Sequence, residues 1–235
     1  MTWRRAMPWA AVAVVAAFCG LVLSQFGLGQ ERASDAELWM RAAASLGARN
    51  VVSAIILGVR LLDTLVEVIV FTVAVLGVRY FLKIQEESTK AGEEIPESPL
   101  VAASSAILLP GILMLGAYVT VCGHLSPGGG FSGGAIAASA LLLAAASLGA
   151  ERVSARFAES RFERVEWGAL AILLLVTLAP ALLGRAVTTD LLPAGVRGNL
   201  ASGGTILPYN VLISVKVFLG SWVIVHHFLR HRGEI

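Results

Sequence analysis

The chain has few charged residues, and this shortage excludes the commonest class of protein. Charged residues make up 14% of its 235 residues and hydrophobic residues make up 57%, whereas soluble domains contain about 25% charged residues. A soluble fold of this length would have to hide several long apolar helices in one core, which argues against a soluble protein. The net charge of +2 and the lack of a basic cluster interleaved with aromatic residues argue against nucleic-acid binding.

Cysteine is nearly absent as well. The two cysteines, Cys19 and Cys122, lie in apolar surroundings and form no CxxC motif, so we expect two small buried side chains rather than metal ligands. Nothing in the sequence resembles an iron–sulfur or haem site, or a Ser/His/Asp or Cys/His arrangement for nucleophilic catalysis. We expect no cofactor, metal site or catalytic centre in this chain, and whether it serves a larger enzyme stays open.

Long apolar runs are abundant. Windows of about 19 residues give six candidate spans of roughly the 20 residues that cross a bilayer as a helix. They are Pro8–Phe26, Val51–Leu82, Leu100–Cys122, Phe131–Gly149, Trp167–Leu183 and Tyr209–Leu229. Most arginines and lysines lie on one side if the N-terminus is cytoplasmic. The sequence predicts an all-α, multi-pass protein of the cell (inner) membrane, with six transmembrane helices and both termini in the cytoplasm.

The first span follows Arg4 and Arg5 and has two interpretations. A positively charged start followed by an apolar run is typical of a secretory signal peptide. Because no clear small-x-small cleavage site follows the run, we favour an uncleaved membrane anchor over a cleaved signal.

Two polar stretches divide the chain. Residues 85–99 contain several glutamates and two prolines, so they predict a solvated cytoplasmic linker that is not one continuous helix. This linker separates a two-span unit, residues 1–84, from a four-span domain, residues 100–235. The stretch Glu151–Glu166 alternates acids and arginines, which predicts a solvated surface helix with local ion pairs.

Three ionisable side chains interrupt the second span. Arg60, Asp63 and Glu67 follow one another at spacings of three and four, which place them on one face of a continuous helix. Each charge in mid-bilayer costs at least about 2.5–3.5 kcal/mol. Arg60 can pair with Asp63, whereas Glu67 has no partner on its own helix. We favour an ion or proton path, and the alternative is that these charges only fasten the helix to another subunit.

Lys216, in the last span, and His124, at the end of the third, are the other candidates for this path. Lys216 either snorkels to the outer surface or faces the interior of the bundle and passes protons. His124 either anchors the chain at the interface or carries protons. We expect both to contribute across a subunit interface.

A glycine-rich run connects the third and fourth spans. It lacks the Gly-Lys-Ser/Thr of a phosphate loop, but glycine permits sharp turns and close approach between helices. The run therefore predicts a packed bend in which the proline sets the direction of the fourth span. The bend and packing residues are Pro127, Gly128, Gly129, Gly130, Gly133 and Gly134.

The same region carries a family resemblance. Tyr118 to Gly134, Tyr-Val-Thr-Val-Cys-Gly-His-Leu-Ser-Pro-Gly-Gly-Gly-Phe-Ser-Gly-Gly, resembles the signature of the MnhB-type subunit of the multisubunit Mrp-type Na⁺/H⁺ antiporters. The same type of subunit recurs in energy-converting membrane-bound hydrogenases. The Gly203-Gly204-Thr205 loop and the spacing from Asn210 to Lys216 are similar too. The resemblance covers about residues 100–235.

The N-terminal unit has its own counterpart. Val59 to Glu67 is similar to an Arg-x-Phe-Asp-Thr-Leu-Gly-Glu motif. In the antiporters that motif lies near the C-terminal end of the largest subunit, and in the hydrogenase and sulfane reductase relatives it lies in a small separate subunit. Leu62 and Val66 replace the usual Phe and Gly, and Cys122 replaces a common His.

The resemblance implies a component of a Mrp-like Na⁺/H⁺ translocating module, within a respiratory complex such as an energy-converting membrane-bound hydrogenase. Its partners would be other membrane subunits, Na⁺, H⁺ and the lipid bilayer. The alternatives are a purely structural or assembly role in such a complex, or membership of a stand-alone Mrp antiporter.

Overall fold

The structure is a computed structural model that describes residues 33–85, 99–149, 153, 159–186 and 189–230. The predicted span Pro8–Phe26 and nearly all of the predicted linker, residues 85–99, lie outside the described residues. By internal contacts the chain divides into Met1–Leu38 and Trp39–Ile235. Apart from the start of the first helix, every feature below lies in the second unit.

The described residues form helices, turns and loops, and no β-strand occurs among them. Helices α3 to α7 are each long and apolar enough to cross a membrane, so the class of multi-pass helical membrane protein is confirmed. The count of six spans and the side of the termini stay predictions. The helices are α1 (Ala33–Ser45), α2 (Val51–Ala54), α3 (Leu61–Gln85), α4 (Pro99–Val121), α5 (Gly130–Leu148), α6 (Glu159–Leu182) and α7 (Ile206–Arg230).

The prediction of one continuous helix over Val51–Leu82 is wrong. Helix α2 passes into a single π-helical turn, Ile55–Val59. The helix is then interrupted at Arg60, whose φ of −108° and ψ of 31° are not helical. The Thr64 hydroxyl donates a hydrogen bond of 2.8 Å to the Ile56 carbonyl across this break. Helix α3 therefore starts at Leu61, and the charged residues lie near one end of the span rather than in its middle.

Helix α7 is the centre of the bundle. Half of the residues in its most apolar stretch are buried, whereas only 11% of those in the corresponding stretch of α4 are buried. It packs against α3, α5 and α6, whereas α4 packs mainly against α5. The core includes Ile213 and Val217 of α7 with Val68 of α3 and Leu173 of α6. Large apolar side chains are exposed on the outward sides of α3, α4 and α6.

Glycines of α5 let it approach two neighbours at backbone distance. A Cβ atom at Gly130 would lie 2.6 Å from the Asn210 carbonyl oxygen, and one at Gly134 would lie 2.6 Å from the Ser214 carbonyl oxygen, both on α7. On the other side, a Cβ at Gly133 would lie 2.8 Å from the Gly116 carbonyl oxygen of α4. Only glycine fits at these positions, because the Cβ atom of any other residue would collide with these backbone oxygens, which cannot rotate away as a side chain can.

Candidate functional site

Arg60 and Asp63 form an ion pair on the surface of the chain. Arg60 lies at the helix break and Asp63 in the first turn of α3. The Arg60 Nε atom donates to Asp63 Oδ2 over 2.6 Å, and Nη2 lies 2.5 Å from the same oxygen. The two side chains are 66% and 62% exposed. The pair therefore lies on the outside of this chain.

Glu67 lies one turn further along the same face of α3. Its neighbours Val66 and Val70 are 59% and 62% exposed, and Glu67 is itself exposed. Within the described part of the chain, Glu67 has no hydrogen-bond or ion-pair partner. An ionised carboxylate that faced lipid at this position would be costly.

A second group of charges lies inside the bundle. Lys216 of α7 is fully buried, and its Nζ donates a hydrogen bond to Glu166 Oε1 of α6. The two side chains are only 1% and 6% exposed, and Nζ also lies 5.8 Å from the ring centroid of Trp167. Lys216 therefore does not snorkel to the surface. It is held between α6 and α7 as one half of a buried ion pair.

Glu166 was missing from the predicted site. The sequence assigns Glu151–Glu166 to a solvated surface helix, and for Glu166 this is wrong. Helix α6 begins at Glu159 and runs through to Leu182, so Glu166 is within the span and 4% exposed. A buried lysine needs a counter-charge. The position of Glu166 directly before the predicted span Trp167–Leu183 was the sequence feature that could have identified it as this counter-charge.

Two further charges continue from this pair toward one end of α6. Glu163 precedes Glu166 by one helical turn, so their side chains are neighbours. Arg79 of α3 donates to Glu163 Oε1 over 2.9 Å, and the side chains of Arg79 and Glu163 are 20% and 43% exposed. A row of four ionisable side chains, with the two glutamates between Arg79 and Lys216, thus runs from the surface of the bundle to its interior.

His124 is buried where the glycine-rich turn meets two other segments. Its carbonyl oxygen accepts hydrogen bonds of 3.0 Å from the backbone N–H groups of Arg49 and Asn50. Its ring Nε2 lies 3.4 Å from the Asn199 carbonyl oxygen. The ring Nδ1 is buried without a hydrogen-bond partner in the described part of the chain.

Two asparagines that sequence reasoning did not assign to the site fix this turn. Asn210 Oδ1 of α7 accepts the Gly130 N–H over 2.9 Å and so caps the start of α5. Asn50 donates to the carbonyl oxygens of Gly123 and Ser126 over 2.8 and 2.9 Å. Asparagine has an acceptor and two donors on one short side chain, but nothing in their local sequence indicates these distant partners.

The predicted site residues thus fall into three separate places. Arg60, just before α3, and Asp63 and Glu67, on α3, face outward, whereas Lys216 and His124 are each 0% exposed. No hydrogen bond or ion pair within the described ranges joins these three places. Lys216 and His124 are enclosed by their own chain, and a contribution of either residue across a subunit interface stays a prediction. The described residues include no cluster of three or more side chains that could hold a metal ion.

Five helices of membrane-spanning length, with a buried ion pair and an outward-facing charged motif, define a helical membrane protein. The family of domains related to the MnhB subunit of Na⁺/H⁺ antiporters matches residues 100–223. The chain belongs to this family. No curated protein matches the chain.

Two solved complexes contain similar chains. A chain of the membrane-bound sulfane sulfur reductase, an archaeal respiratory membrane complex, is 27% identical with a TM-score of 0.74. The match covers 97% of this chain and 98% of that one. A chain of the Mrp complex from Dietzia sp. DQ12-45-1b is 22% identical with a TM-score of 0.70, and it shares the fold. That match covers all of this chain but 27% of the other. The chain is therefore a membrane subunit of the Mrp-like type.

Proposed function

We propose that this chain is part of a Na⁺/H⁺ translocating module and that Asp63 and Glu67 line its cation or proton path. The observation that carries the proposal is the position of the acids on an exposed, otherwise apolar helix face. Carboxylates there are tolerated where a hydrated path or another subunit covers them. Arg60 offsets the charge of Asp63, and Glu67 is left to bind a mobile cation or proton.

Lys216 and His124 act from within the chain in this proposal. Lys216 donates a hydrogen bond to Glu166 inside the bundle. His124 has a ring nitrogen that is buried and unpaired in the described part of the chain, so it has room for one further hydrogen bond. Both groups would influence the path through the interior of this chain rather than across its surface.

The proposed arrangement has two units that face the path together. Residues 1–84 form a two-span unit that resembles the small hydrogenase subunit and the C-terminal end of the largest antiporter subunit. Residues 85–99 form a cytoplasmic linker and residues 100–235 the MnhB-like domain, and one sulfane reductase chain matches nearly all of this chain. We place six spans in the inner membrane with both termini in the cytoplasm. Other membrane subunits cover the exposed α3 and α4 faces.

The respiratory context is also part of the proposal. The match to the sulfane sulfur reductase chain extends over nearly the whole of both chains, whereas the match to the Mrp chain covers a small part of it. This supports a respiratory complex, such as a membrane-bound hydrogenase, over a stand-alone antiporter. Purification through a tag on this chain in mild detergent tests the context. Nickel–iron or iron–sulfur subunits should co-purify, and antiporter subunits alone would favour the alternative.

The transport role is tested with Asp63→Asn and Glu67→Gln in the whole complex, measured in inverted membrane vesicles. We expect Na⁺-dependent proton movement to fall about tenfold or more, since tenfold corresponds to about 1.4 kcal/mol on the barrier. The subunit content should not change. Asp190→Asn is the matched control. It exchanges another acid for its amide but keeps the Oδ1 acceptor that receives the Thr205 N–H over 2.8 Å.

Two outcomes would count against this role. Transport at the wild-type rate in a fully assembled complex would show that the acids carry no ions. Loss of the assembled complex in both variants, with the control intact, would favour the purely structural role, in which these charges only join α3 to a neighbouring helix.

A further inference from the structure

The ion pair of Lys216 and Glu166 lies deep in the membrane-spanning region. Lys216 is about 15 Å along the axis of α7 from Ile206, near the middle of the span Ile206–Phe228. Removing two charges from water costs several kcal/mol for each ion, and their attraction recovers this only with good geometry. Apolar residues would join α6 and α7 at least as well, so helix packing alone does not account for the pair.

The pair is connected to one end of the bundle by Glu163. The Glu163 side chain is 43% exposed and lies one turn before Glu166, toward the start of α6. Side chains three apart on a helix are neighbours, so a rotation of either side chain brings the two carboxyl groups together. Arg79 holds Glu163 in place through a hydrogen bond of 2.9 Å. On the other side, the Trp167 ring covers the Lys216 ammonium group.

We propose that Glu163 and Glu166 form a proton access route, internal to this chain, that connects Lys216 with the membrane face at which α6 begins. The route extends the proposed function, because it adds a second place where the module exchanges protons with water. It is separate from the Asp63 and Glu67 face of α3, to which no hydrogen bond in the described part of the chain joins it.

The proton transfer balances without any further reactant. At rest Lys216 carries the proton as an ammonium group and Glu166 is a carboxylate. Transfer breaks one N–H bond of Lys216 and forms one O–H bond on Glu166, which leaves a neutral amine beside a carboxylic acid. Glu166 then passes the proton to the Glu163 carboxylate, which releases it to water. The reverse sequence reloads the lysine.

A carbodiimide that modifies protonated carboxyl groups in apolar surroundings tests the first transfer directly. Wild-type complex in inverted vesicles is treated with N,N′-dicyclohexylcarbodiimide, and the peptide containing Glu166 is identified by mass spectrometry. We expect Glu166 to be labelled in the wild type and several times more in Lys216→Met. Labelling absent from both, or confined to Lys216→Met, would overturn the proposal, because the pair would then never share its proton.

Transport measurements separate the access route from a structural role. The double variant Glu166→Leu with Lys216→Met removes both charges together, so we expect the complex to assemble. Proton movement in this variant and in Glu163→Gln should fall about tenfold, while Asp190→Asn stays at the wild-type rate. Transport at the wild-type rate in the double variant would overturn the proposal. If the double variant fails to assemble, labelling of Glu166 in the wild-type complex supports the proposal, and its absence overturns it.

The same vesicles distinguish this proposal from the broader one. If Asp63→Asn and Glu67→Gln abolish transport while the Glu166 variants do not, the module translocates ions but the access route is wrong. If wild-type vesicles show no Na⁺-dependent proton movement at all, the proposed function itself fails, whatever the labelling of Glu166.

Discussion

Asn210 shows how one side chain of α7 sets the geometry of another helix. The first N–H groups of a helix have no partner within the helix, and here the Asn210 amide oxygen accepts the buried Gly130 N–H. A capping residue normally comes from the chain just before the helix, but Gly129 precedes α5 and has no side chain to offer. The cap comes instead from a helix much later in the sequence.

Replacing Asn210 with leucine should therefore destabilise the protein. The Gly130 N–H would lose its acceptor in a buried place, which costs about 1–3 kcal/mol. We expect a lower melting temperature of the purified complex. Asn199→Leu is the matched control, because Asn199 is exposed and its side chain makes no hydrogen bond among the described residues. Equal melting temperatures for both variants would contradict the capping role.

Two helical glycines should respond in opposite ways to the same substitution. Gly134→Ala places a Cβ 2.6 Å from a backbone oxygen of α7, and overpacking of this kind costs about 1–3 kcal/mol. Gly168→Ala meets no atom within 4 Å and should stabilise α6 by up to about 1 kcal/mol. Thermal unfolding of the two variants measures the difference. A neutral Gly134→Ala would mean that α5 and α7 can separate at no cost.

At the residue scale, the sequence identified the charged and glycine positions but not their partners. Lys216 and Glu166 lie on different spans, and periodicity along one helix contains no information about which helix comes next to it. The Arg60–Asp63 contact is local, so spacing alone could anticipate it. Glu166 was missed because the acidic and basic residues before it resemble a solvated helix.

At the scale of single elements, the break before α3 is the main departure from the sequence-based expectation. Residues 51–82 are mostly apolar apart from four charged residues and a few small polar ones, so hydropathy cannot distinguish one long helix from two pieces joined by a π-turn. The break becomes visible only through hydrogen bonding. Thr64 donates to the Ile56 carbonyl eight residues earlier, a distance that a continuous α-helix does not allow.

Thr64→Val should weaken this junction. The substitution removes the hydroxyl that bridges the two pieces and keeps the shape of the side chain, so we expect a loss of about 1 kcal/mol. Thr72→Val is the matched control. Its hydroxyl bonds the Val68 carbonyl one turn earlier within α3, and that carbonyl keeps its helical partner when the hydroxyl is removed. Equal losses in the melting temperatures of the two variants would show that the break needs no such bridge.

At the scale of the whole molecule, sequence established the helical membrane class and the family, but not which faces are buried. A helix in a membrane is apolar toward lipid and toward protein alike, so the stripe that reveals the core face of a soluble helix is weak. The clearest guides here are small residues such as Gly130 and Gly134, and polar ones such as Lys216. The large exposed face of α4 could not have been anticipated from hydropathy.

The proposed topology makes a prediction for the chain as a whole. With both termini in the cytoplasm, green fluorescent protein fused after Ile235 should fluoresce, and alkaline phosphatase inserted at Gly198 should be active, since only an exported phosphatase folds with its disulfides. The α6–α7 connection that contains Gly198 would then face outward. The reverse pattern would invert the topology, and signals on the same side at both positions would require a different number of spans.

The central position of α7 has a consequence for biogenesis. During synthesis α5 enters the membrane well before α7 has left the ribosome, yet its first N–H and its glycine face are completed by Asn210, Ser214 and Val217. The pair formed by α4 and α5 must therefore stay in the bilayer with the α7-facing side of α5 uncovered until α7 is inserted. Nascent chains stalled ahead of Ile206 should be the ones that membrane proteases and insertion chaperones recognise.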